Sequence, residues 1–280
     1  MNKQNRIRTS FAIISVMLAS LVSTSSANAA ESTLQDVLKR GYLLVGTGSG
    51  NAPWHFKDAS GKLIGMDIDI AGMIAKGLFD DATKVKFIEQ TPDSRIPNTL
   101  TNKVDITCQF MTVHGIRAQQ VAFTKPYYRE GVGLMMKKGS KYKTYADLRK
   151  AGAKVKVSIL ANVQATDYVH AALPNAKVLE FADPALSVAA VDAGRADAVA
   201  YDQSSIGWLI SQFPGKYVDS GFGWMPQSYS CAMRPDDQVW INFVNQVLNE
   251  AMSGVEFEVY KASFKKWFGV TLPQPRIGMP

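Results

Sequence analysis

The chain has 280 residues, 46% of them hydrophobic and 20% charged, with 31 Lys and Arg against 24 Asp and Glu for a formal charge of +7. That length allows one large domain or two modest ones. The basic residues are scattered, clustering only briefly as at Lys137-Lys138 and Lys265-Lys266, which excludes a nucleic-acid-binding stripe.

Residues 1 to 29 stand apart from the fold. Lys3, Arg6 and Arg8 are followed by an apolar run, Phe11 to Val22, too short to cross a membrane comfortably. Ala27-Asn-Ala29 then supplies small residues suited to a signal peptidase, so export with cleavage before Ala30 is expected. No cysteine lies near that site, which argues against a lipid anchor. No second long apolar run follows, so the processed chain is expected to be soluble, and its formal charge falls to +4.

Leu34 to Lys39 predicts a short helix ended by Gly41, and Tyr42 to Val45 an apolar strand. A turn and an amphipathic helix follow over 63–79, then a strand over 85–89, a helix over 96–101 and a strand over 104–108. From Lys154 the alternation begins again: strand 155–159, helix 163–171, strand 177–180, helix 185–193, strand 196–201. Such alternation implies parallel sheet with helices on its faces, and two series imply two lobes of an α/β protein. Between the series lies Tyr127-Tyr-Arg-Glu-Gly-Val-Gly133, extended and glycine-bearing; Trp224-Met-Pro-Gln-Ser-Tyr-Ser230 follows the second. A last helix is predicted over 237–252.

Chemistry concentrates after the strand Val104-Asp-Ile-Thr-Cys-Gln-Phe-Met-Thr112, where a polar turn at Thr112 leads into a short helix bearing Arg117. A helix start aims free N–H groups at one point, and the arginine adds a planar fork that fits a carboxylate. A lone arginine in a helix is otherwise commonly a solvated surface residue. Side chains of Gln109, Phe110 and Met111 alternate along the strand, so some must face the same place. Asp202 ends a predicted strand, where it serves either as a helix N-cap or as an anion at the carboxyl edge of a sheet. His114 is given no chemistry. No His, Cys or Asp group has metal-ligand spacing, and Gly46-Thr-Gly-Ser-Gly50 lacks the ending of a phosphate loop, so no cofactor is expected.

Gly41-Tyr-Leu-Leu-Val-Gly46, Ala52-Pro-Trp-His-Phe-Lys-Asp58, Gly65-Met-Asp-Ile-Asp-Ile-Ala71, Ser94-Arg-Ile-Pro97, Lys103-Val-Asp-Ile106 and Phe123-Thr-Lys-Pro-Tyr-Tyr128 occur in fixed order. Gly194-Arg-Ala-Asp-Ala-Val-Ala-Tyr-Asp202, Cys231-Ala-Met-Arg-Pro-Asp-Asp237 and Lys265-Lys-Trp-Phe268 continue it. Together they resemble the family 3 periplasmic solute-binding proteins, amino-acid receptors of ABC importers, over nearly all the chain after about residue 33. The resemblance implies a two-lobed Venus-flytrap fold with two crossover hinge segments: lobe 1 over 30–127 and 230–280, lobe 2 over 128–229. It also implies a monomer that closes on a free amino acid and delivers it to an inner-membrane permease.

The same resemblance makes Arg117 and Thr112 the carboxylate site and Asp202 the ammonium site, one from each lobe. Trp54 takes the place of an aromatic wall, or else is a core aromatic, and Tyr128 packs in the hinge. Relatives carry a glycine–hydroxyl pair where this chain has Ala161-Asn162-Val163, so Asn162 is the candidate there. Gly48 stands where basic amino-acid receptors have an acid and where glutamate/aspartate receptors have a second arginine. That leaves Arg95 to reach an acidic or amide side chain, which is slightly favoured. Two cysteines in an exported chain favour a bridge, and the resemblance implies Cys108 to Cys231 within lobe 1. Cyclohexadienyl dehydratases resemble the same fold, but their cleft acid lies just after the position of Asp202, where Gln203-Ser-Ser-Ile206 offers none. Capture without catalysis is therefore the expectation.

Overall fold

The computed structural model describes residues 31–161 and 165–278. The expected leader and its cleavage site, Asn162, and the first two residues of the helix expected over 163–171 lie outside the described residues.

The chain opens with α1 (Thr33–Arg40), β1 (Leu43–Thr47), a three-stranded antiparallel ribbon of β2 (Gly50–Asn51), β3 (His55–Lys57) and β4 (Leu63–Ile64), and α2 (Met66–Phe79). Then come β5 (Val85–Glu89), α3 (Arg95–Leu100), β6 (Ile106–Thr112), α4 (Gly115–Ala118) and β7 (Ala122–Phe123). The long β8 (Tyr128–Lys137) leads to α5 (Tyr145–Ala151), β9 (Lys156–Leu160), α6 (Ala165–Ala172), β10 (Lys177–Phe181) and α7 (Pro184–Asp192). The chain closes with β11 (Ala198–Asp202), α8 (Gln203–Gln212), the seventeen-residue β12 (Tyr217–Met233), α9 (Gln238–Ser253) and α10 (Phe257–Phe268).

Local chemistry explains the helix ends. Ser32 accepts the Leu34 N–H at the start of α1, and Gly41 closes it at φ 78°, a left-handed conformation that glycine adopts without strain. Thr144 and Asp147 form a capping box on α5. Asp237 caps α9 through the Trp240 N–H and also accepts from Ser32 and Thr33, tying α1 to α9.

The sheet order is β10-β9-β11-β8-β12-β6-β1-β5, with β7 paired to β12. β1 pairs in parallel with β5 and β6, and β9 with β10 and β11, so each predicted series yields a parallel set. Between the sets run β8 and β12, antiparallel to each other and to their outer neighbours. The two segments read as extended crossings are thus parts of two long strands.

The apolar cores separate along the same line. One joins Val45, Ile70, Ile106, Trp240 and Trp267; two others gather Leu134, Val157 and Ala198, and Met135, Val199 and Ile206. This is the two-lobed α/β architecture anticipated from the alternation. Two differences stand out. The strand expected from Val104 begins instead at Ile106; it runs through Thr112, where Tyr229 and Ser230 of β12 pair with Thr112 and Met111. Trp208 of α8 also crosses to the first core, its ring 5.7 Å from Phe56 and 5.9 Å from Trp267.

Candidate functional site

Arg117 sits in the four-residue α4, half-buried, with its guanidinium donating to the Thr112 carbonyl at 3.0 Å. So short a helix has little aligned dipole, so anion attraction there falls mainly to the arginine. The Thr112 hydroxyl donates to Gln227 of β12 at 2.7 Å. Arg95, only 8% exposed, donates to the carbonyls of Pro92 and Gln109 rather than to a carboxylate. Burial, and next the nearby Arg117 charge, bring it down to about 10, still cationic at neutral pH. Two arginines therefore share one region.

Asp202 ends β11 at the N-cap position of α8, yet its side chain makes no cap hydrogen bond. Its carboxyl instead accepts from the Tyr229 hydroxyl, and burial pushes it up to about 6. The helix-cap reading of Asp202 is thereby set aside. Tyr168 of α6 lies within the field of both Arg117 and Asp202: burial raises its phenol, the arginine lowers it and the aspartate raises it. The fold brings Arg117 and Asp202, 85 positions apart in sequence numbering, to a common neighbour.

Other predicted residues sit differently. Trp54 has no exposed surface; its indole N–H donates to Ser204, and its ring packs against Tyr128, Tyr229 and Phe268 at 4.8–5.2 Å. As it stands it is a core aromatic that offers no face to a ligand. Gln109 is also buried and exchanges hydrogen bonds with Gln90, whose amide donates to it and whose carbonyl accepts from it. The amide is consumed by the core because β6 is an interior strand. Phe110 remains half-open, at φ 34°, stacked on His55 with ring centroids 4.7 Å apart. Asp67 holds that turn of the backbone, accepting the Phe110 N–H, the Tyr127 hydroxyl and His55 Nδ1–H.

His55 also accounts for Gly48. A Cβ at Gly48 would lie 2.7 Å from the His55 ring and 3.0 Å from Gln109, so neither an acid nor a second arginine fits there without displacing a buried ring. Tyr128 packs with Trp54, Phe264 and Phe268, as expected of hinge packing. Cys108 and Cys231 form a disulfide between β6 and β12, and among the described residues no free cysteine remains.

Sequence reasoning missed Glu130. It is 3% exposed in β8, and its carboxyl accepts from the Ser204 hydroxyl, the Ser204 N–H and the Gly131 N–H. Burial, then the Asp202 charge, push it up to about 8. The stretch 203–206 carries no acid of its own, but the tertiary structure delivers one to Ser204 from another strand. A signal was present: an acid beside two glycines in a crossing strand. A Cβ at Gly133 would stand 2.2 Å from the Gln203 amide, so the glycine marks where α8 approaches β8.

The profile of bacterial extracellular solute-binding proteins, family 3, matches residues 43–270. The ABC transporter glutamine-binding protein of Bacillus subtilis (strain 168) is 29% identical over 209 residues, covering 75% of this chain and 74% of that protein. The glutamate/aspartate import solute-binding protein of Escherichia coli (strain K12) is 25% identical over 260 residues, covering 91% and 85%. Among solved structures, an ancestral amino acid-binding protein described as a precursor of cyclohexadienyl dehydratase superposes with a TM-score of 0.71. It is 32% identical and covers 85% of this chain and 100% of its own. With a family match over most of its length and a two-lobed fold of the same kind, this chain belongs to the bacterial extracellular solute-binding proteins, family 3.

Proposed function

We propose that this protein captures a free amino acid between its lobes in the periplasm and delivers it to an ABC permease. Arg117 takes the α-carboxylate and Asp202 the α-ammonium. What supports this reading is that Arg117, after β6, and Asp202, at the end of β11, lie on opposite sides of β8 and β12 and both act electrostatically on Tyr168. A zwitterion needs both charges matched, because an unpaired charge in a closed, dry cleft is very costly. The lobes are assigned to 30–127 with 230–280, and to 128–229; separation of the apolar cores supports that division. Residues of β8 and β12 form the hinge, and Asn162 is kept as a further candidate contact.

Arg95 supports a ligand with an acidic or amide side chain, since a buried guanidinium hydrogen-bonded only to carbonyls is best neutralised by an incoming oxygen anion. Glutamine and glutamate/aspartate receptors among the relatives point the same way. Calorimetric titration with L-glutamate, L-aspartate, L-glutamine and L-arginine tests this. Binding of the first three and not of arginine is expected; arginine binding alone would refute the Arg95 assignment. Intact mass of exported protein should correspond to an N-terminus at Ala30.

One observation favours a second reading. Glu130 is a buried acid that holds its proton at neutral pH, as a dehydratase of this fold would require. It is engaged with Ser204 and Gly131, and capture explains the charges of Arg95, Arg117 and Asp202 without a reaction. Incubation with cyclohexadienyl acids is expected to leave them unchanged; release of an aromatic product with loss of water and carbon dioxide would favour the enzyme.

A further inference from the structure

We propose that Glu130 is a positioning residue of the ammonium end of the cleft, holding the start of α8 in place beside Asp202 and releasing a proton when a cation arrives. The inference rests on the reading of Asp202 as the ammonium acceptor.

Strand register supplies the geometry. Asp202 of β11 stands directly opposite Val132 of β8, so their side chains leave the sheet on the same face. Glu130 is two residues before Val132 and therefore projects from that face too. Continuing the register past Asp202 brings Ser204 level with Glu130. There the Ser204 N–H and hydroxyl both donate to the Glu130 carboxyl. Ser204 also accepts from the Trp54 indole N–H at 2.9 Å, so the same contact fastens α8 to the first core.

Among the described residues, no cation is recorded acting on Glu130. Asp202 faces it from β11, Tyr229 from β12 and Tyr128 from its own strand, and the phenols of both tyrosines are raised in part by its charge. The neighbouring Arg129 donates instead to the Ser228 hydroxyl. Two carboxyls in one desolvated region cannot both ionise cheaply. Burial and the Asp202 charge push Glu130 up to about 8, above Asp202 at about 6, so at pH 7 the pair keeps one proton and about one negative charge. An ammonium beside Asp202 lowers the cost of the second ionisation. The Glu130 carboxyl then loses its proton to solvent buffer, and no other group changes covalently.

The test uses the full protein with L-glutamate and L-glutamine as probes. Titration calorimetry at pH 7.5 in two buffers of different ionisation enthalpy reads proton release directly. The unaltered protein should release a fraction of a proton, and its affinity should rise a few-fold between pH 6.5 and 8.5. Glu130→Gln, which keeps the volume and can still meet Ser204, should bind without that release and with a flat profile over the same range. Proton release identical in the variant, or none from an unaltered protein that binds, would overturn the proposal while leaving capture intact. Failure of both probes to bind the unaltered protein would remove capture and this inference together. Should the variant not fold, carboxyl carbon NMR of the ligand-free unaltered protein decides: titration of Glu130 well above the usual carboxylate range supports the role, and titration within it refutes it.

Discussion

The indole N–H of Trp54 donates to the Ser204 hydroxyl at 2.9 Å, and that hydroxyl donates onward to the Glu130 carboxyl. Trp54 belongs to the first apolar core and Ser204 to a helix that begins in the second half of the sheet. This one serine, two positions after Asp202, therefore joins the turn between β2 and β3 to the crossing strand β8. Removing the indole should loosen that junction. Trp54→Ala should cost about 3–5 kcal/mol, the range for emptying a large buried aromatic site. Trp54→Phe should cost less, since ring packing partly survives and the lost hydrogen bond is worth about 1 kcal/mol. Urea denaturation followed by circular dichroism measures both.

The clamp makes a sharper demand. Arg117→Ala and Asp202→Ala should each abolish measurable amino-acid binding while the thermal transition remains cooperative. Losing one partner of a desolvated charge pair costs about 2–5 kcal/mol, or roughly 30-fold to several-thousand-fold in affinity. Unchanged affinity in either variant, read by titration calorimetry, would reject the clamp as drawn.

Stability should carry the signature of Glu130. Its proton affinity is raised in the folded state, so between about pH 4.5 and pH 8 the native protein holds more protons at this site than the unfolded chain. Its contribution is thus fully present at low pH and is lost as pH rises through about 8. Glu130→Gln should change stability little near pH 5 and make the ligand-free protein relatively more stable near pH 8, by up to a few kcal/mol. Thermal unfolding of both proteins across that range tests the sign; a difference that shrinks with rising pH would contradict it.

The Cys108–Cys231 bridge spans a sequence separation of 123 and encloses the whole second parallel set of strands. Both cysteines lie in the first apolar core, so the bond should hold β6 to β12 without linking lobe to lobe. Thiol counting on denatured, unreduced protein should find no free sulfhydryl. Reduction should lower stability by up to roughly 5 kcal/mol on the chain-entropy model. Ligand-driven closure, followed by small-angle scattering, should persist in the oxidised form.

The alternation of strands and helices in each parallel set was legible because those elements carry their own period of apolar residues, whereas the β2–β4 ribbon and helices α5, α8 and α10 were not read from the sequence. The strand at Leu43–Thr47 and the helix at Met66–Phe79 needed nothing beyond local pattern and end residues. Arg117 and Asp202 became candidates only through resemblance, since a lone charge after a strand is locally indistinguishable from a surface residue or a cap. The sequence could not assign Trp54, Gln109 or Glu130, because burial of a polar atom depends on which distant partner meets it. For Trp54 that partner is Ser204, for Gln109 it is Gln90, and for Glu130 it is Ser204 again. Side-chain chemistry and periodicity are properties of neighbours along the chain; desolvation, and with it the proton held by Glu130, is a property of neighbours in space.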